Sequence, residues 1–143
     1  MRFRILFVGV PFFLVACATP TDVGSEVMGT IVGYNDDDPR ISLTVDALAI
    51  EATIVTYGGG CYAFGRTDTK LSDEAFRIDI LPFNAVPSAS ASCSRILKEI
   101  PHTVSVPVER PGQYTIVFHG LDAPNQEAVS ATQTVFVRAA PFR

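Results

Sequence analysis

The chain has 143 residues, with 15 Asp or Glu against 11 Lys or Arg and a formal net charge of −4. That balance, with no basic cluster, excludes nucleic acid and anionic lipid as charge-driven partners, because both demand grouped Lys and Arg. With 48% hydrophobic residues at this length, one compact domain around one core is expected.

The chain begins MRFRILFVGVPFFLVAC, in which Arg2 and Arg4 precede an apolar run from Ile5 to Ala16. That run is shorter than the roughly 20 apolar residues needed to span a bilayer. A basic start, a short apolar core and small residues at its end describe a secretory signal peptide over residues 1–16. Leu14-Val15-Ala16-Cys17 resembles the lipobox of bacterial lipoproteins. The resemblance implies cleavage before Cys17, lipidation of its thiol, and acylation of the new amino end with a fatty acid such as palmitate. Stable anchoring takes more than one acyl chain, and such a terminus supplies that. Ala18, not Asp, follows the cysteine, which resembles lipoproteins forwarded to the outer membrane. The expected location is the bacterial cell envelope, held to the membrane through the N-terminal lipid.

Residues 17–29 are polar and poor in bulky apolar groups, and read as a flexible lipidated tether to a domain over 30–143. Asp36, Asp37 and Asp38, closed by Pro39, read as a solvated hairpin tip. They lack the spaced ligands of a calcium loop, and an opportunistic calcium site is the alternative.

From Ile31 onward apolar residues recur with period two. Ile41, Leu43 and Val45 are followed by Ile50, Ala52 and Ile54, then by Phe76, Ile78 and Ile80. Val104, Val106 and Val108 continue the pattern, as do Tyr114, Ile116 and Phe118, and finally Val135 and Val137. Such alternation turns one face of each strand to a core and the other to water. Gly, Pro and Asp clusters separate the runs, so about seven short strands in an all-β antiparallel sandwich are expected. Within 94–100, SRILKEI has room for a helical turn or two, and Pro107 marks an edge strand or a bulge.

Pro111-Gly112-Gln113-Tyr114-Thr115-Ile116 resembles the PG-x-Y-x-(I/V) signature of immunoglobulin-like and fibronectin-like bacterial surface domains. The resemblance implies an immunoglobulin-like sandwich with a tyrosine corner, in which the Tyr114 hydroxyl ties back to nearby backbone. The cysteine that follows this tyrosine in antibody domains is here Ile116, and the chain has no tryptophan. The longer pattern from Thr56 to Gly120 resembles small secreted or lipid-anchored bacterial proteins with two cysteines, a likeness that carries no activity with it.

With Cys17 taken by lipid, Cys61 and Cys93 are an even pair in an oxidising compartment and are expected to form a disulfide. Closing that loop in the unfolded chain is worth roughly 3 to 4 kcal/mol in the chain-entropy model. Gly58-Gly59-Gly60, before Cys61, fits no phosphate-loop motif and reads as a turn that delivers the cysteine to its bridge.

Ser94 and His102 with Asp79 would be the members of a nucleophilic triad, but no G-x-S-x-G elbow is present. His102 and His119 are two zinc-type ligands where a site needs three or four, and read as solvent-facing strand residues. No metal and no cofactor are expected. Tyr57, Tyr62, Phe64, Arg66 and Phe83 are the candidate binding residues, because aromatics and arginine are enriched at recognition hot spots and loops on a rigid scaffold carry binding. The expected function is a non-catalytic binding or structural module, with another envelope protein or a glycan as partner. The alternatives are a periplasmic protease inhibitor, presenting Glu109-Arg110-Pro111-Gly112 and the glycine loop, and a small enzyme without a recognisable motif.

Overall fold

The computed structural model describes residues 23–31, 40–46, 48–88 and 93–139. The expected signal peptide over 1–16, the lipidation site Cys17 and the acidic turn Asp36 to Asp38 lie outside them. The described chain forms eight strands and no helix: β1 (Val23–Met28), β2 (Ile41–Asp46), β3 (Ala49–Gly58), β4 (Ala63–Ser72), β5 (Arg77–Pro87), β6 (Lys98–Pro107), β7 (Gly112–Leu121) and β8 (Ala128–Val137).

Two sheets face each other. One runs β2-β3-β6; the other is centred on β5, with β4 on one edge and β1 and β7 on the opposite edge, β8 lying beyond β7. The β5 strand is long enough for two partners in succession, since β7 pairs with Arg77 to Ile80 and β1 with Phe83 to Pro87. The β5–β7 pair is parallel, whereas the sequence suggested an antiparallel sandwich throughout. The reason is topological: the chain leaves β5, crosses to the other sheet as β6, and returns as β7 in its original direction.

Alternation positions the core as the sequence suggested. Ile50, Ala52 and Ile54 of β3, Ile78 and Ile80 of β5, Val106 of β6, and Tyr114, Ile116 and Phe118 of β7 are buried together between the sheets. Each such isoleucine contributes about 1.5–3 kcal/mol on burial. At the corner of the sandwich the Tyr114 hydroxyl donates to the Arg110 carbonyl at 2.9 Å. The Phe76 ring meets Tyr114 edge-on at 5.2 Å, and the Arg110 guanidinium lies 4.7 Å above Phe76. Gly112, at φ 155°, is required here, because a Cβ would stand 2.7 Å from the Phe76 ring.

Three expectations change. Residues 23–28, within the presumed tether, are strand β1, because β5 outruns its pairing with β7 and offers open backbone to them. Ser94 to Leu97 form no helix, and Lys98 to Ile100 open β6, whose inward positions continue the alternation of Val104 and Val106. Eight strands replace about seven. Pro107 is the last residue of β6, an edge strand, where the missing N–H leaves no ladder bond unmade.

Cys61 and Cys93 are bonded, 32 residues apart in sequence with Cα atoms 5.2 Å apart. Replacing both by Ala is expected to lower unfolding free energy by roughly 3 kcal/mol, measured by urea denaturation of the full chain. An unchanged midpoint would show that the loop between them is already restrained in the unfolded state.

Candidate functional site

The disulfide sits at one end of the sandwich, beside the place where β3 runs out in glycines. A Cβ on Gly58 would lie 2.1 Å from Tyr62 Cδ2, so only glycine lets the Tyr62 ring fold back against the strand. The turn is closed by Tyr62 N donating to the Gly59 carbonyl at 2.8 Å. At Gly60 a Cβ would come within 2.0 Å of Ser94 Oγ, so this glycine admits the segment that carries Cys93. Lys98 Nζ then donates to the Tyr62 carbonyl at 3.0 Å. A Cβ on Gly59 would meet nothing within 4 Å.

This turn forms one wall of a cleft of about 490 Å³, with Tyr57, Gly58, Gly59 and Tyr62 on that side. Leu97 contributes from the segment after Cys93, Thr30 from the chain crossing between sheets, and Ala123 and Gln126 from the β7–β8 turn. The crossing is fixed by hydrogen bonds to both sheets: Gly29 N to Pro82 O and Tyr57 N to Thr30 O, each 2.8 Å. In the β7–β8 turn the Asp122 carboxylate accepts from Asn125 N at 3.2 Å and Glu127 N at 3.0 Å. Gln126, at φ 57°, donates from Nε2 to the carbonyls of Asp122 and Ala123. Leu97, 63% exposed, brings apolar surface to the cleft, and its chain neighbour Ile96 is 72% exposed.

The five candidate binding residues separate. Tyr57 and Tyr62 come together in the cleft. Phe64, 54% exposed, rests its ring 5.0 Å from His102. Arg66 stacks 4.2 Å above Phe83 and pairs with Glu26 and Asp68, on the outer face of the β5 sheet. Thr30, Leu97, Ala123 and Gln126 join the cleft from distant parts of the sequence.

Next to Tyr57, on the inward side of β3, the core turns polar. Thr56, Asn84 and His102 occupy inward positions of β3, β5 and β6 and are almost fully buried. Asn84 Nδ2 donates to the Tyr57 carbonyl at 3.3 Å, which orients the amide. Its Oδ1 then accepts from the Thr56 hydroxyl and from His102 Nε2, each at 2.9 Å. His102 Nδ1 is left to accept from the Thr67 hydroxyl of β4 at 2.9 Å. The network therefore assigns a neutral imidazole with its proton on Nε2, and burial pushes the His102 pKa down to about 4.

His102 is thus a core residue, not the solvent-facing one expected, because it shares the inward phase of Ile100 and Val106. His119 is partly buried on the outer face of the other sheet, its Nε2 2.7 Å from Asp79 Oδ1. Arg77 donates two bonds to Asp79 at 2.7 and 3.0 Å. These bonds, the first cause, and the His119 contact outweigh burial and hold the Asp79 pKa down to about 2. Ser94, His102 and Asp79 are consequently not assembled as a triad: the partners of His102 are Thr67 and Asn84, while Asp79 faces His119.

No protein-family model matches the chain, and neither does any curated protein or solved structure.

Two outcomes are expected. Gly58→Ala should displace Tyr62 and change its ring environment in NMR or fluorescence, whereas Gly59→Ala should leave it unmoved; equal effects would remove the steric account. His102 is neutral in the native state until the pH approaches 4, while in the unfolded chain it takes a proton near pH 6.5. Stability is therefore full above about pH 6.5 and falls by up to about 3 kcal/mol as the pH drops toward 4. Asp79 adds a second loss below that window, as pH falls from its unfolded value toward 2. Urea midpoints measured from pH 7.5 downward report both.

Proposed function

We propose that the chain is a lipid-anchored cell-envelope protein and that its sandwich is a non-catalytic module binding a second envelope protein at the tyrosine-lined cleft. The observation that carries this reading is the cleft itself: Tyr62 is held by a glycine turn next to a disulfide, and beside it Tyr57 is held on β3, where its carbonyl accepts from Asn84. Side chains fixed before binding lose little entropy on contact, and tyrosine offers large area with few torsions. Among the described residues the lining carries no charge and includes the exposed Leu97; the cations beside it are engaged, Arg40, 6.0 Å from the Tyr57 ring, by Glu99 and Lys98 by the Tyr62 carbonyl. That chemistry suits an uncharged segment with apolar or aromatic side chains better than a charged one. The N-terminal lipobox supports the envelope location.

The inhibitor alternative gains nothing from Glu109-Arg110-Pro111-Gly112. Arg110 is engaged by the Asp73 carbonyl, the Phe76 ring and the Tyr114 hydroxyl, so this loop serves the tyrosine corner.

The test uses the full chain crosslinked in detergent-solubilised envelope of its own bacterium. Tyr62→Ala is expected to lower recovery of the bound protein about tenfold, while Thr53→Ala, on the outer face of β3 and outside the cleft lining, leaves it unchanged. Recovery unaffected by Tyr62→Ala, or displacement by cell-wall glycan fragments, would overturn the reading. Cys17→Ser is expected to move the chain from the membrane to the soluble fraction, and retention on the membrane would refute the anchor.

A further inference from the structure

An open sheet edge is a row of unpaired N–H and C=O groups, and proteins blunt such edges with charges, prolines, bulges or shortness. Four edge strands of this sandwich are blunted. β4 carries Arg66, Asp68 and Lys70 and has a register shift between Phe64 and Arg66. β6 carries Lys98, Glu99, Pro101 and Pro107. β1 and β2 have six residues each, with Glu26 and a register shift in the first and Asp46 in the second.

The fifth, β8, has none of these devices. AVSATQTVFV contains no charge, proline or glycine, and it pairs with β7 over all ten residues without a register shift. Among the described residues β7 is its sole strand partner. Ser130, Thr132 and Thr134 are exposed, and Phe136 stands 63% exposed.

We infer that β8 is a self-association edge, pairing antiparallel with β8 of a second copy about a twofold axis through Thr132. In that register Thr132 faces Thr132, Ser130 faces Thr134, and Ala128 faces Phe136 on the outer side. On the inner side Val129 faces Val135 and Ala131 faces Gln133. Threonine–serine and valine–valine pairs are stabilising cross-strand neighbours, and the large Phe136 meets a small alanine. Charge selects the occupant. A chain with net charge −4 meets its own copy at least cost along the one edge that carries no charge, and a twofold contact needs only that this edge be self-complementary. The two sheets join into one continuous sheet.

The test is sedimentation equilibrium of the full chain in density-matched detergent. The wild type is expected to dimerise, and Thr132→Lys, an exposed change that leaves the monomer folded, should raise the dimer Kd roughly fivefold or more through like charges across the axis. An equimolar mixture of Thr132→Lys and Thr132→Glu should restore dimers, which a merely misfolded variant would not do. A wild type that stays monomeric at its highest soluble concentration would overturn the inference. So would a dimer indifferent to Thr132→Lys, or a mixture that fails to re-form it. These outcomes do not depend on the cleft or on its partner.

Discussion

Asn84 is an amide placed where the core of a sandwich would ordinarily be hydrocarbon. Burying it without partners would cost several kcal/mol. It avoids that cost only because Thr56, His102 and the Tyr57 carbonyl arrive from the facing sheet at hydrogen-bond distance. The sheets must therefore keep one spacing and one register at this end: a slip of a residue would turn Thr56 or His102 outward and leave Asn84 alone. Apolar packing fixes the two sheets face to face, while this network fixes how they are aligned. Tyr57 contributes its backbone to the network and lines the cleft, so the same constraint fixes one wall of the candidate site.

Covalent and steric devices then hold what the core does not reach. The disulfide binds the Ser94–Leu97 segment beside the glycine turn, and Gly58 and Gly60 allow the approach that it holds. Thr30 bridges to Tyr57 in one sheet and to Leu121 in the other, which ties the start of the domain to both layers within two residues. The cleft is thus assembled from four separate segments. Each has its own hydrogen bonds or crosslink, so its shape does not depend on a ligand to order it.

Much of the architecture was legible in the sequence, and what was missed has a common cause. Alternation gives the strands because burial of one face acts locally, on residues two apart. The Tyr114 corner and the Cys61–Cys93 bond were legible because each carries a chemical signature. The inward placement of His102 was within reach, since it keeps the phase of Val104 and Val106; likewise Thr56 follows Ile50, Ala52 and Ile54, and Asn84 follows Ile78 and Ile80. Reading those residues by polarity instead of phase put His102 on the surface. Strand β1 was hidden because its six residues carry no strong alternation and are held by the length of β5. Thr30, Leu97, Ala123 and Gln126 left no local trace of their role, because the cleft exists only where the crossing, the disulfide segment and the β7–β8 turn converge.

The β7–β8 turn links the candidate cleft to the proposed β8 pairing edge. Ala123 and Gln126 line the cleft, and Ala128, directly after the turn, begins β8. In an antiparallel β8 pair the Ala128 end of one copy lies beside the Phe136 end of the other. The two clefts then open at opposite ends of the joined strands, separated along the strand direction by roughly 30 Å for ten residues at 3.4 Å each. Pairing along β8 also adds hydrogen bonds to the strand that anchors one side of the turn. Self-association would thereby stiffen a cleft wall without contributing a residue to it, coupling the two surfaces through backbone alone.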